Sequence, residues 1–127
     1  MYRREEKGNK LRLEKLLFDS FSPDRGTAGT DANEDGMVVE LTYGGFEGLF
    51  TGDIGTETEK KLLPELEDVD FLKVGHHGSR YSTCQEFLDV VRPELAVVSC
   101  SATNTYGHPS GETIERLEDS GAKIWYT

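Results

Sequence analysis

The hydrophobic pattern changes character at Asp53. Before it, Met37-Val38-Val39-Glu40-Leu41-Thr42-Tyr43 is rich in β-branched residues, Gly44-Gly45 supplies a turn, and Phe46-Glu47-Gly48-Leu49-Phe50-Thr51 returns. Strand, glycine turn and strand predict a β-hairpin. After Asp53, helical and strand spacings take turns. Leu62, Leu63 and Leu66 lie at helical spacing within residues 56–66, where Pro64 is placed to end the helix early. Residues 69–74 read as a strand. Ser82 or Thr83 can cap a helix carrying Phe87, Leu88, Val90 and Val91, which stops near Arg92-Pro93. Residues 95–100 form a continuous apolar run, the pattern of a strand covered on both faces. Residues 113–117 sit in a last helix ended by Gly121, and residues 123–126 make a final strand. Strands alternating with helices predict an α/β fold with helices packed against a sheet.

The chain ahead of the hairpin carries weaker signals. Residues 1–10 are charged and without period, which predicts a frayed start. Residues 11–18 begin with alternation and end in an apolar run that fits a strand or a short helix. The reading is therefore a poorly defined N-terminal segment over 1–20, a strand being one form of it, and a folded unit over 21–127. Phe21-Ser22-Pro23 favours an extended chain entering a loop, and residues 22–36 are polar and turn-forming. Inside that loop, Asp31-Ala32-Asn33-Glu34-Asp35-Gly36 imitates the opening of an EF-hand. Such a loop needs a bidentate Glu at its twelfth position, where this chain has Thr42, so calcium binding there is rejected.

Composition narrows the function. A chain of 127 residues fits one domain with a real core. Its formal net charge of −10, from 24 acids against 14 bases, argues against a simple electrostatic nucleic-acid binder. It does not exclude a phosphodiester substrate, because bound dications reverse a local potential. No apolar run is long enough to span a bilayer, so no membrane contact is expected from these residues. Met1 to Lys7 is charged and does not resemble a signal peptide. Cys84 and Cys100 read as small apolar residues, and no disulfide scaffold is expected.

Unusual polar residues gather where predicted strands end. Asp53 closes Phe50-Thr51-Gly52-Asp53, and His76 and His77 close Leu72-Lys73-Val74-Gly75-His76-His77-Gly78-Ser79. Strand ends in α/β proteins build sites along one sheet edge. A carboxylate and imidazoles together suit a divalent metal such as zinc or manganese. The competing reading has Asp53 capping the next helix and the histidines solvated in a turn. Successive residues of an extended chain point to opposite faces, so both histidines entering one site would require a bend.

These stretches, with Asn33 to Val38, Tyr43-Gly44-Gly45-Phe46, Tyr106-Gly107-His108-Pro109 and Leu117 to Ala122, resemble the metallo-β-lactamase-like domain of the ComEC/Rec2 family of DNA-uptake proteins. The resemblance runs from Phe21 onward. It implies the second half of a metallo-β-lactamase-like αββα sandwich, a β-hairpin followed by alternating helices and strands. It implies two divalent ions, zinc or manganese, in the complete domain, bridged by Asp53. His77 is the preferred histidine ligand by analogy with related phosphoesterases, and His76 is the fallback. His108 and Ser79 would face a nucleic acid or other phosphodiester substrate, although Ser79 equally fits a turn cap and His108 a plain loop position. The superfamily's other signature, His-x-[His/Asp]-x-Asp-His, does not occur in this sequence, whose three histidines are His76, His77 and His108. The expectation is therefore part of a metal-dependent hydrolase. The alternative is a metal-free, non-catalytic half-sandwich that associates with itself, as a homodimer, or with a partner domain. The parent is expected to be bacterial, with this segment compatible with an extracytoplasmic part of a membrane protein.

Overall fold

The computed structural model describes residues 36–127 in full and, before them, the backbone of strands at residues 3–5, 8–13 and 16–21. The polar loop up to residue 35, and the EF-hand-like stretch except Gly36, lie outside the described residues.

Eight strands form one sheet in chain order: β1 (Arg3–Glu5), β2 (Gly8–Leu13), β3 (Leu16–Phe21), β4 (Val38–Tyr43), β5 (Phe46–Phe50), β6 (Phe71–Lys73), β7 (Leu95–Val98) and β8 (Lys123–Tyr126). Neighbours are antiparallel from β1 to β5 and parallel from β5 to β8. Residues 11–18 thus divide between two strands, and residues 1–10, which carry no period, contribute β1 and the start of β2. The predicted hairpin is present: Gly44, at φ 58°, turns β4 into β5 with Tyr43 opposite Phe46.

Three helices connect the parallel strands: α1 (Thr56–Leu62), α2 (Gln85–Val91) and α3 (Gly111–Asp119). Parallel crossovers are right-handed, and here each next strand is added on the same side. All three helices must therefore lie over one face of the sheet. Leu49, Leu72, Ala96 and Val98 point into that layer and meet Ile54, Phe87, Leu88, Val91 and Leu117. Phe87 is almost fully buried there, a burial that contributes about 1.5–3 kcal/mol.

The opposite face follows from the register. Phe50, Lys73, Val97 and Trp125 are neighbours across β5 to β8, and Phe71 and Leu95 flank them. On β4 and β5, Tyr43 and Phe46 belong to the same face. Phe46, Phe50, Tyr43 and Trp125 are exposed, and Phe71, Leu95 and Val97 are half-buried. This corrects one expectation. The apolar run at 95–100 is not a strand covered on both faces: Ala96 and Val98 are buried, while Leu95 and Val97 are only partly so. Among the described residues helices cover one side alone, and the strand itself ends at Val98.

Two caps also differ from the sequence expectation. Neither Ser82 nor Thr83 caps α2; its N-cap is Cys84, without a side-chain bond. The buried Glu59 carboxylate on α1 instead accepts hydrogen bonds from the Thr83 and Cys84 backbone N–H groups. A carboxylate at a helix start is favoured by the helix dipole. Likewise Asp53 is not the N-cap of α1, whose N-cap position is Gly55. Pro64 ends α1 as expected, in a short 3-10 turn at Leu63–Glu65. No described helix is long and apolar enough to cross a membrane.

Cys84 and Cys100 are free thiols, the first buried and the second half-buried. Burial, with the Glu59 charge added, pushes the Cys84 thiol up to about 11. The reactive species is the thiolate. At pH 8 a thiol reagent is therefore expected to modify Cys100 in the folded protein and to leave Cys84 unmodified until denaturant is added. Equal labelling of both under native conditions, read by peptide mass spectrometry, would contradict this placement.

Candidate metal centre and adjoining pocket

The parallel strands place their C-terminal ends along one sheet edge, and the singled-out residues sit just beyond those ends. Asp53 follows β5, His76 and His77 follow β6, and Ser99 and the loop to His108 follow β7. Two close backbone approaches fix this edge. The His76 N–H donates to Gly52 C=O at 2.8 Å, tying the turn after β6 to the turn after β5. At Gly75 a Cβ would stand 2.7 Å from Thr51 Oγ1, so only glycine lets the two strand ends come this near.

The required bend occurs at the histidines themselves. His76 (φ 48°, ψ 40°) and His77 (φ 55°, ψ 27°) are both left-handed, and Gly78 follows at φ 81°. Left-handed non-glycine residues cost about 1–3 kcal/mol each and persist where surroundings over-determine them, often at functional sites. Here the constraints are visible. Ser79 N–H donates to His76 C=O, Ser82 Oγ donates to Gly75 C=O, and Ser110 N–H donates to Gly78 C=O.

The bend sends the two imidazoles apart. His77 Nδ1 lies 2.7 Å from the Ser99 carbonyl. A carbonyl only accepts, so Nδ1 carries the proton, and a neutral His77 keeps its lone pair on Nε2. That Nε2 is 3.8 Å from Asp53 Oδ1. The gap is too long for a hydrogen bond and suits two donors sharing one ion at about 2.0–2.2 Å each. Fixing one imidazole nitrogen to a carbonyl is how proteins orient a histidine ligand. His76 turns the other way: its ring centroid is 5.8 Å from that of His108, which in turn stacks on Tyr106 at 5.8 Å and 14°. The structure thus brings Asp53 and His77 together and places His76 with His108.

His76, Ser79, Arg80, Tyr81, Tyr106 and His108 line an open pocket of about 310 Å³ beside the Asp53–His77 pair. Asn104 holds the loop that carries Tyr106 and His108. Its Oδ1 accepts from the Tyr106 and His108 N–H groups, and its Nδ2 donates to the Ser101 and His108 carbonyls. His108 Nδ1 is buried without a hydrogen-bond partner. Burial, then the nearby His76 and His77 imidazoles, hold His108 below the usual histidine range. Ser79 is buried, and its Oγ accepts from Tyr81 N–H at 3.2 Å, the turn-capping bond that its sequence position also allows.

Sequence reasoning passed over three residues near this edge. Lys73, half-buried on the open face, donates from Nζ to Val74 C=O; burial lowers its ammonium below the usual lysine range while Asp53, and then Cys100, oppose the shift. A lone lysine between Leu72 and Val74 was its only signal. Glu59 and Arg116 brace the segment after the histidines. Burial raises the Glu59 carboxyl above the usual range against its two backbone bonds. The Arg116 guanidinium donates to the Thr83, Ser82 and Arg80 carbonyls. Glu59 stands at i, i+3 and i+7 spacing with Leu62 and Leu66, the signal of an acid on a buried helix face.

Asp53 and His77 suit two ligand positions of a divalent ion. Among the described residues no group of three or more His, Cys, Asp or Glu side chains could hold a metal. A catalytic zinc takes three protein ligands and an open position. The described residues alone therefore do not complete such a centre.

No family model matches the chain. It is similar to ComE operon protein 3 of Bacillus subtilis (strain 168), at 30% identity over 124 residues, 96% of this chain and 16% of that protein. It is similar to Recombination protein 2 of Haemophilus influenzae, at 34% over 102 residues, 80% of this chain and 13% of that protein. It is 35% identical over 100 residues to Competence protein ComA of Neisseria gonorrhoeae, 76% of this chain and 14% of that one. The chain thus spans only 13% to 16% of the length of these curated relatives. Among solved structures, a protein from Parabacteroides distasonis described as a candidate metal-dependent hydrolase superposes with a TM-score of 0.61. That match has 13% identity and covers 94% of this chain and 55% of the other. The shared feature is the fold.

Proposed function

We propose that this chain, which belongs to the ComEC/Rec2 family in the segment it shares with those proteins, supplies one side of a divalent-metal centre that hydrolyses phosphodiesters in nucleic acid. One observation carries the reading. His77 is oriented by the Ser99 carbonyl so that Nε2 and Asp53 Oδ1 stand 3.8 Å apart, the disposition of two ligands rather than of a hydrogen-bonded pair. The names Recombination protein 2 and Competence protein ComA support nucleic acid as the substrate class, and the hydrolase description of the structural neighbour supports a metal. Zinc or manganese fits a carboxylate and an imidazole. In this reading Asp53 and His77 would hold the metal, and His76, His108 and Ser79 would border the substrate.

Such an ion, when bound, supplies a Lewis acid and an activated water. The chain's own residues do the remainder. The bend at His76 and His77 separates a ligand from a pocket wall, the Ser99 carbonyl fixes the His77 tautomer, and burial holds the His108 imidazole below its usual range beside the pocket. In this reading the remaining ligands would come from outside the described residues.

With two donors in place among the described residues, the 127-residue chain should bind zinc or manganese weakly and hydrolyse a simple phosphodiester such as bis(p-nitrophenyl) phosphate little or not at all. Titration calorimetry with each metal and a turnover assay check this. Robust metal-dependent turnover by the chain alone would sink the two-ligand reading. A second reading, a non-catalytic module that docks through its sheet, has its own observation in the exposed Phe46, Phe50 and Trp125 on the helix-free face. A metal-free dimer in light scattering would favour it.

A further inference from the structure

A third left-handed residue follows the two histidines before α2 begins: Thr83, at φ 55°. For a β-branched residue this conformation is an outlier. Thr83 gains no bond of its own from it, since its Oγ1 is buried without a hydrogen-bond partner. What holds Thr83 comes from two helices. Arg116 of α3 donates from Nη2 to the Ser82 carbonyl at 3.1 Å and from Nε to the Thr83 carbonyl at 3.0 Å. Glu59 of α1 accepts from the Thr83 and Cys84 N–H groups, which belong to the same two peptide units. A guanidinium therefore grips each unit by its oxygen while a buried carboxylate grips it by its nitrogen. Hydrogen bonds to charged groups are roughly twice as strong as neutral ones.

The clamp reaches the histidine turn through Ser82. Its Oγ donates to the Gly75 carbonyl at 3.0 Å, directly ahead of His76. The start of α3 adds two holds: Thr113 Oγ1 donates to the Ser79 carbonyl at 2.9 Å, and Ser110 N–H to the Gly78 carbonyl at 2.9 Å. A left-handed pair such as His76 and His77 persists where its surroundings over-determine it. Ser82 and Thr83 are buried, so carbonyls stripped of Arg116 would have to seek new partners, and the move would carry Ser82 Oγ away from Gly75.

We infer that Arg116 and Glu59 are positioning residues for His77: their clamp on the peptide units of residues 82–84 fixes the bend that aims His77 Nδ1 at the Ser99 carbonyl and Nε2 at Asp53. Both act through the backbone. The inference rests on the proposed metal reading and adds two residues from the helix layer to it.

The test reads the His77 tautomer in the 127-residue chain by long-range nitrogen–proton NMR, without metal, at about pH 8, where an ordinary imidazole is neutral. The parent should carry the ring proton on Nδ1. Arg116→Ala should give a mixture of both tautomers. Arg116→Lys keeps the charge without the planar fork and should fall between. Glu59→Gln leaves one acceptor for two N–H groups and should shift the tautomer in the same direction as Arg116→Ala. Val91→Ala, in the core at the far end of α2, is the control: it should lower the melting temperature and leave His77 as in the parent. Should Arg116→Ala fail to fold, Arg116→Lys and Glu59→Gln decide. If every folded Arg116 and Glu59 variant keeps the Nδ1 proton, or if Val91→Ala loses it as well, the positioning role is overturned while the metal reading stands. If the clamp variants shift the tautomer but the parent binds no zinc in calorimetry, the clamp stands and the metal reading falls.

Discussion

In a protein that carries this segment together with the remaining ligands, Asp53→Ala is expected to lower metal-dependent phosphodiester hydrolysis by at least ~10²-fold. Changes to groups that merely orient ligands cost about 10–100-fold in metal sites, and a carboxylate that touches the ions is more tightly engaged than those. His77→Ala should behave like Asp53→Ala, since its Nε2 is the partner donor at 3.8 Å. His76→Ala should keep its metal, because that imidazole faces His108 and the pocket. His108→Ala should keep metal too and lower the rate by less than Asp53→Ala does, since it would at most orient substrate or pass a proton. Metal content and turnover of the four variants, each confirmed as folded, separate these cases. Loss of metal from His76→Ala with retention in His77→Ala would reverse the assignment; retention in every variant would remove the strand-end site altogether.

Gly78→Ala should be the most damaging single-methyl change at the site. Gly78 has φ 81°, where an L-residue costs about 1–2 kcal/mol. Its added Cβ would stand 2.7 Å from Pro109 Cβ and 3.1 Å from Pro109 Cα, and such overpacking adds about 1–3 kcal/mol. The sum, roughly 2–5 kcal/mol, corresponds to a fall of roughly 8–20 °C in melting temperature for a domain of this size. Gly121→Ala is the matched control: φ is 84°, but nothing lies within 4 Å of the new methyl, so only the backbone cost applies. If the two variants melt together, the packing of the histidine turn on the loop at Pro109 contributes nothing. If Gly78→Ala melts lower, that packing holds the histidine turn against the loop at Pro109.

Much of the fold could be read from the chain because it rests on local rules. Alternating β-branched residues around Gly44-Gly45 encode the hairpin, and Pro64 ends α1 within its own few residues. The strand-end location of Asp53, His76 and His77 was legible for the same reason: each follows directly on an apolar run. The cap of α2 was not legible. The Thr83 and Cys84 N–H groups just ahead of it are met by Glu59, 24 and 25 residues away in sequence, and no local spacing signals a bond over that separation.

What the sequence determined by itself is the order of elements and the residue types at each strand end, since period and turn chemistry act over a few residues. The tertiary structure alone decided three things. It decided that the helices cover one face, because handedness and strand order together, not composition, set the side of each crossover. It decided that Leu95 and Val97 are half-buried within an apolar run that local pattern reads as fully covered. And it decided that adjacent histidines part company, His77 to Asp53 and His76 to His108. A bend of two left-handed residues exists only where Gly52 and Ser110, from distant points of the chain, and Ser82 close by hold the backbone around it.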